Sequence, residues 1–318
     1  MDKSRKQILM FSMEGEFIRA IGGSGEGPGE FRYLYAMDVK GNLVACFDQG
    51  NLRMTLFDTS GVFIRSFGTR SKKSVPLGNC VAITQRQTIL HCQQPVTLTR
   101  EQDQAHSYPW LICEFDTLGN VLSHHGEFNQ QVVGDKIDKP FTEFKWSFPR
   151  FITSRDSRTF LYFYNIPIVV GYDESNVVSK VLNVATLLTR PTWVDKNAEK
   201  LQHLSKEARI KLAIQRMKNE HSVTTHITDI AFVDKHSLLL VLQAEETRQG
   251  IRRTRRHYLS AYETNTGHRL MTDMRLQSEK SGFVQRIAAD ADGFVYCIQN
   301  DQPDNFVIAK SEIVLEEI

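Results

Sequence analysis

An all-β fold made of repeated four-stranded sheets is what this sequence predicts, and three observations carry that expectation. Between Gly22 and Gly68, short apolar or alternating segments are separated by tight-turn signals. The apolar positions and glycines of that stretch return at an offset of 46 residues. Its hairpin turn then recurs at several later places. Four antiparallel strands in about 35 residues, followed by another copy, is the period of a β-propeller blade.

The strands of the first full unit follow one another closely. Tyr35-Ala36-Met37-Asp38-Val39 is short and mostly apolar, as an inner strand buried on both faces must be. Lys40-Gly41-Asn42 is a turn, and Asn42 to Asp48 is a second strand. Asp48-Gln49-Gly50-Asn51 turns the chain again, and Arg53 to Asp58 alternates polar and apolar side chains. Thr59-Ser60-Gly61 makes a hairpin in which Gly61 takes the positive φ the turn needs. Val62 to Phe67 closes the unit with Arg65 turned to solvent.

The offset of 46 maps Phe11 onto Phe57, Gly15 onto Gly61, Ile18 onto Ile64 and Cys46 onto Cys92. Phe115-Asp116-Thr117-Leu118-Gly119 repeats Phe57-Asp58-Thr59-Ser60-Gly61, and Asp290-Ala291-Asp292-Gly293 repeats Asp38-Val39-Lys40-Gly41. Complete units are expected over 35–68, 81–126, 150–184, 228–276 and 286–318, the last holding four strands of its own. Residues 7–22 match only the third and fourth strands of a unit. The expectation is therefore one domain over 1–318, a six-bladed β-propeller with one incomplete N-terminal blade. A segment at 185–227 interrupts the pattern, and Asp195 to Asn219 within it reads as a helix. Asp195 can cap it, and Leu201, Leu204, Ala208 and Leu212 share a face at helical spacing.

The glycine-rich run Gly25-Glu26-Gly27-Pro28-Gly29-Glu30-Phe31, then an apolar strand and Asp38-x-x-Gly41-Asn42, resembles NHL-repeat proteins, and most of all bacterial six-bladed propellers of that group. The resemblance is sharpest over 7–68. One departure is Tyr33-Leu34-Tyr35, where such repeats commonly carry a proline before the inner strand. The glycine-rich run is not a nucleotide fingerprint, because Pro28 and the β-unit after it leave no helix N-terminus for a phosphate.

Composition narrows the function classes. A formal net charge of +2 supplies no global field for nucleic acid, and no binding motif for one is present. No apolar run approaches the ~18 residues of a membrane-spanning helix. The five cysteines show no zinc spacing, so buried free thiols are expected and neither metal nor cofactor is. The half unit at 7–22 leaves two readings open. In one, an inner hairpin and a signal segment precede this sequence and the protein is extracytoplasmic, as related propellers often are. In the other, one blade is two-stranded and the compartment cytoplasmic.

In a propeller, loops between blades and loops joining second to third strand emerge on one face. The long irregular segments, 23–34, 69–80, 94–109, 127–149, 185–227 and 244–256, all belong to those two classes, so binding is expected on that face. Its candidates are the aromatic segment with Trp146 and Phe148, the arginines Arg252 and Arg253, and residues that open inner strands: Tyr33, Arg150, His226 and Arg286. Aromatics supply contact area at low entropic cost, and guanidinium groups pair anions bidentately. Each has a plainer explanation: the aromatics plug a channel mouth, the arginines solvate a hairpin tip, His226 is a structural histidine. The functional expectation is a non-enzymatic, monomeric module. It binds a small anionic or carbohydrate-like ligand, or a protein segment. Propeller lyases and lactonases of similar architecture hold a metal with His or carboxylate clusters at the mouth. Such an enzyme is the alternative here, although one His and two Arg at that position would repel a cation. A structural or assembly role is the third reading.

Overall fold

The structure, a computed structural model, describes residues 1–2, 4–12, 14–70, 74–95, 110–127, 149–153, 158–163, 166–173, 178–184, 205, 207, 221–249, 252–276, 283–290, 292–302 and 305–312. These form two compact units, Met1–Asn183 and Val184–Ile318.

The first unit holds four antiparallel sheets. Strands β1 (Ile8–Phe11) and β2 (Phe17–Ile21) make a two-stranded sheet. Strands β3 (Leu34–Lys40), β4 (Leu43–Asp48), β5 (Arg53–Asp58) and β6 (Phe63–Gly68) make the next, in sequence order. Strands β7 (Ser74–Ile83), β8 (Ile89–Pro95), β9 (Ile112–Phe115) and β10 (Val121–His125) follow, then β11 (Pro149–Thr153), β12 (Thr159–Phe163), β13 (Ile166–Tyr172) and β14 (Val178–Asn183). Strands such as β4 and β12 are buried along their whole length, with apolar side chains on both faces, and those faces stack. Ile8 and Ile21 of the two-stranded sheet pack on Leu34, Val44, Cys46 and Phe57. The opposite face of that second sheet, with Ala45, Phe47 and Leu56, meets Val81, Ile83, Ile89 and Phe115. The third sheet's other face, with Leu90, Cys92 and Ile112, meets Leu161, Phe163 and Val170. Full burial of each such side chain contributes about 1.5–3 kcal/mol.

The second unit holds two sheets. One comprises β15 (His221–Val233), β16 (Leu238–Gln249), β17 (Arg252–Glu263) and β18 (Arg269–Leu276). The other comprises β19 (Phe283–Ala289), β20 (Phe294–Gln302) and β21 (Asn305–Glu312). Ala231, Leu240, Leu242 and Leu259 pack on Ile287, Val295 and Cys297 between them.

The turns repeat as the sequence does. In Ser12–Gly15, Asp58–Gly61, Asp116–Gly119 and Asp290–Gly293, the glycine N–H donates to the carbonyl three residues back, at 3.1, 2.9, 3.1 and 3.3 Å. In each, the first residue's side-chain oxygen also accepts the N–H four residues on. Gly119 has φ of 93°, and a Cβ there would lie 2.5 Å from the Phe67 ring, so only glycine fits. The offset of 46 carries Gly41 onto Gln87, and both adopt positive φ, 59° and 60°.

Three segments read as irregular are strand in part, the first being 69–80, where β7 already starts at Ser74. Residues 244–249 and 252–256 continue the β16–β17 ladder, with Glu245↔Arg256, Glu246↔Arg255 and Gln249↔Arg252 as partners. β15 starts at His221, inside the stretch read as an insertion, because it pairs with that lengthened β16. Polar cross-strand pairs hold the ladder together where no apolar alternation marks it. The helix expected over 195–219 lies outside the described residues, save for exposed Ser205 and Glu207, of which Glu207 is helical. All five cysteines are buried thiols, none in a disulfide.

Candidate functional site

The inner strands are tied to their neighbours by a carboxylate. Asp38 of β3 accepts the Ile83 N–H of β7 at 2.7 Å. In the second unit Asp229 of β15 accepts the Ile287 N–H of β19 at 3.1 Å. Burial pushes the Asp38 carboxyl above its ordinary value, while the Ile83 N–H pulls it back. The two ties are alike in kind, but the second lies two residues further from its hairpin turn: Asp38 is two residues from the end of its ladder at Lys40↔Leu43, and Asp229 four from Val233↔Leu238. The residue before Ile83 is Ala82, whereas the residue before Ile287 is Arg286. Arg286 Nη1 lies 3.2 Å from Asp229 Oδ1, and its side chain is 50% exposed while that of Asp229 is 12% exposed. The tie thus forms in the first unit with an alanine at this place. The Asp229 carboxylate anchors one corner of a guanidinium that carries five N–H donors in a planar fork.

His226 lies on the sheet face that carries Asp229, toward the lengthened end of the strands. The register sets His226 beside Ala244 and Ala244 beside His257; two residues further out, Thr224, Glu246 and Arg255 are aligned in the same way. His226 and His257 are buried. Burial, with the nearby Arg255 cation, lowers His226 to about 4; Glu246 opposes this and His257 adds a smaller lowering. Burial and then Arg255 lower His257 to about 4 as well. Both imidazoles are therefore neutral near pH 7. Arg255 pairs with Glu246 at 3.1 Å and Arg256 with Glu245 at 3.5 Å, on opposite faces of the sheet. Partly exposed pairs of this kind contribute roughly 0–1 kcal/mol each.

Of the other sequence candidates, Tyr33 is exposed and its ring lies 5.6 Å from that of Tyr35. Its N–H donates to the buried Asp48 carboxylate at 2.8 Å, and Arg32, Gly50 and Asn51 donate to the same group. Arg150 sits in β11 opposite Tyr162. Arg252 and Arg253 sit in β17 opposite Gln249 and Arg248. The side chains of these three arginines, and Trp146 and Phe148 altogether, lie outside the described residues. Within the second unit the structure places His226 and Asp229 on one face of the β15–β18 sheet, and Arg286 of the neighbouring β19–β21 sheet against Asp229. Sequence reasoning missed His257 and Glu246 as neighbours of His226, because the run Gln243 to Gln249 has no alternation to mark it as strand.

Among the described residues, no three His, Cys, Asp or Glu side chains are grouped to hold a metal ion. The adjacent pair His124 and His125 diverges: His124 stacks on Trp110 at 4.4 Å, and His125 is buried 3.9 Å from Glu114. No helix among the described residues is long and apolar enough to cross a membrane.

Residues 1–93 match a protein family described as a 6-bladed beta-propeller, DUF5128. No curated protein matches the sequence. The chain is similar to the crystal structure of a member of the duf4221 family from Bacteroides vulgatus, at 11% identity and a TM-score of 0.59, over 96% of this chain and 86% of that one. It is also similar to a putative exported protein from Bacteroides fragilis, at 14% identity and a TM-score of 0.49, over 94% of this chain and 75% of that one. A third similar structure is virginiamycin B lyase from Staphylococcus aureus, at 9% identity and a TM-score of 0.47, over 99% and 80%. At such identities likeness speaks for fold and not for activity. The fold is an all-β propeller.

Proposed function

We propose that the protein is a non-enzymatic recognition module whose ligand carries a negative charge, and that Arg286 is its principal contact. The glycine-rich run and the Asp38-x-x-Gly41 turn support a propeller of the NHL-repeat kind as its scaffold. The observation that carries the binding reading is the half-exposed Arg286 guanidinium held on the Asp229 carboxylate. The Asp38 tie forms with Ala82 beside its donor, so a carboxylate tie of this kind does not itself require a guanidinium. A guanidinium held at one corner keeps its orientation and offers its outer edge to a carboxylate, phosphate or sulfate. Neutral His226 is assigned to the same region as a hydrogen-bonding group, not as a base. Arg252 and Arg253 extend the positive character of the same sheet toward its hairpin end. In the first unit, Arg150 with Tyr33, Trp146 and Phe148 is a separate candidate contact set, for an anionic or sugar-like ligand.

The test is a thermal-shift and titration-calorimetry panel on the full chain with phosphate, sulfate, citrate, glucuronate and glucose. One or more anions are expected to raise the melting midpoint, and Arg286→Gln to weaken that anion by tenfold or more with the unliganded midpoint unchanged. The double variant Trp146→Ala with Arg150→Ala is expected to abolish binding of the sugar acid. Equal binding by Arg286→Gln would overturn the reading. So would a stoichiometric metal ion found by elemental analysis of the purified chain, which would favour an enzyme of the lyase or lactonase kind.

A further inference from the structure

We infer that Cys80 and Cys92 form a dithiol built to close into a disulfide, a modification site at the loop-bearing end of the third sheet. β7 pairs with β8 through Val81↔His91 and Ala82↔Leu90, and again through Pro76↔Gln93, with an irregularity between Pro76 and Val81. Continued by one step past the Val81–His91 pair, to the point where the ladder breaks, the same register sets Cys80 opposite Cys92. Directly opposed residues of an antiparallel pair have Cα atoms about 4.5–5.5 Å apart, inside the roughly 4.4–6.8 Å that disulfides span. Both side chains belong to one apolar cluster with Leu90, Ile112 and Leu161, and their thiols hydrogen-bond to one another. Cross-strand disulfides in unbroken ladders are strained, and the break beside Cys80 supplies slack. Cys46, Cys113 and Cys297 are also buried thiols, but only Cys80 and Cys92 show a thiol–thiol contact among the described residues.

The step balances with a low-molecular-weight disulfide, such as oxidised glutathione, as oxidant. Cys80 is 4% exposed and Cys92 0%, so Cys80 attacks first. Its thiolate displaces one thiolate from the oxidant and leaves a mixed disulfide on Cys80. Cys92 then loses its proton and attacks Cys80 Sγ, expelling the second thiolate. Two protein thiols are oxidised and one small disulfide is reduced to two thiols. Burial, and then the contact with Cys80, pushes the Cys92 thiol up, so oxidation of the folded chain is slow, and reduction of the closed pair is disfavoured for the same reason. The bond would pin β7 to β8 just before β8 ends at Pro95.

The test equilibrates the full chain in glutathione buffers of rising oxidised fraction, quenches with acid, then denatures, alkylates and digests it for mass spectrometry. The expected product joins the Cys80 and Cys92 peptides, two hydrogens lighter, with Cys46, Cys113 and Cys297 alkylated. The oxidised chain should melt roughly 5–10 °C above the reduced chain, a gain that Cys80→Ser should lack. Alkylation of all five cysteines in the most oxidising buffer, or a bond between any other pair, overturns the proposal.

Discussion

His91 is the residue whose surroundings are most at odds with its chemistry. It is fully buried with its ring 4.2 Å from that of Phe47, and neither ring nitrogen has a hydrogen-bond partner among the described residues. Burial alone lowers it to about 3. An unpaired buried polar group costs about 1–3 kcal/mol, while an apolar side chain of similar size costs nothing of the kind. His91→Leu is therefore expected to stabilise the protein by about 1 kcal/mol, read as a higher urea midpoint at pH 7. A lower midpoint would mean that the ring is satisfied after all. Arg286 is the converse case, a half-exposed charged group anchored on Asp229 by one corner of its guanidinium among the described residues. The sequence pointed to Arg286 through its place at the start of an inner strand. It could not show Asp229 as its anchor, because that pairing spans 57 residues.

At the scale of elements, the carboxylate ties between adjacent inner strands predict opposite outcomes for two substitutions. Asp38→Asn keeps an oxygen for the Ile83 N–H and removes a charge that burial disfavours, so stability at pH 7 should be unchanged or raised. Asp38→Ala leaves that N–H unpaired and should cost about 1–3 kcal/mol by urea unfolding. Equal losses for both would show that the carboxylate charge itself holds the strands. The sign follows from the raised carboxyl: the folded chain binds this proton more tightly than the unfolded chain, so ionisation at neutral pH works against folding. The lengthened hairpin of β16 and β17 teaches a second lesson. Its residues 244–249 and 252–257 are mostly polar and read as a loop, yet the register brings Glu245 to Arg256 and Glu246 to Arg255. Pairing of opposite charges across strands, unlike apolar alternation, is visible only once the register is known.

For the whole molecule, four buried histidines among the described residues shape the response to acid. His91, His125, His226 and His257 all have values lowered from 6.5, to about 3 for the first and about 4 for the others, with burial the largest cause in each. Between pH 6.5 and about 4 the unfolded chain binds a proton at each of these positions that the folded chain does not. Stability is therefore full above pH 6.5 and falls as pH falls through that window. The slope reaches about 5 kcal/mol per pH unit where all four act together. Against a typical total of about 5–15 kcal/mol, this predicts acid unfolding between pH 6 and 4, earlier than carboxylate titration alone would give. Urea midpoints across pH 7.5 to 4 check it, and His91→Leu should reduce the proton uptake by one. A flat profile down to pH 4.5 would contradict the buried, neutral histidines.

The sequence by itself determined the repeat, the turns and the all-β propeller class. Those features are written in local signals: period-2 apolar patterns, and Asp or Ser followed three residues later by a glycine that alone tolerates the backbone. The positions of Phe57, Gly61 and Cys46 in one unit could be checked against Phe11, Gly15 and Cys92 without any coordinates. Only the tertiary structure decided which side chains meet across strands and between sheets. Asp229 with Arg286, His226 with His257, and Cys80 with Cys92 are pairings of distant positions. Whether each side chain ends buried, anchored or half exposed depends on register and on the neighbouring sheet, which no local pattern encodes.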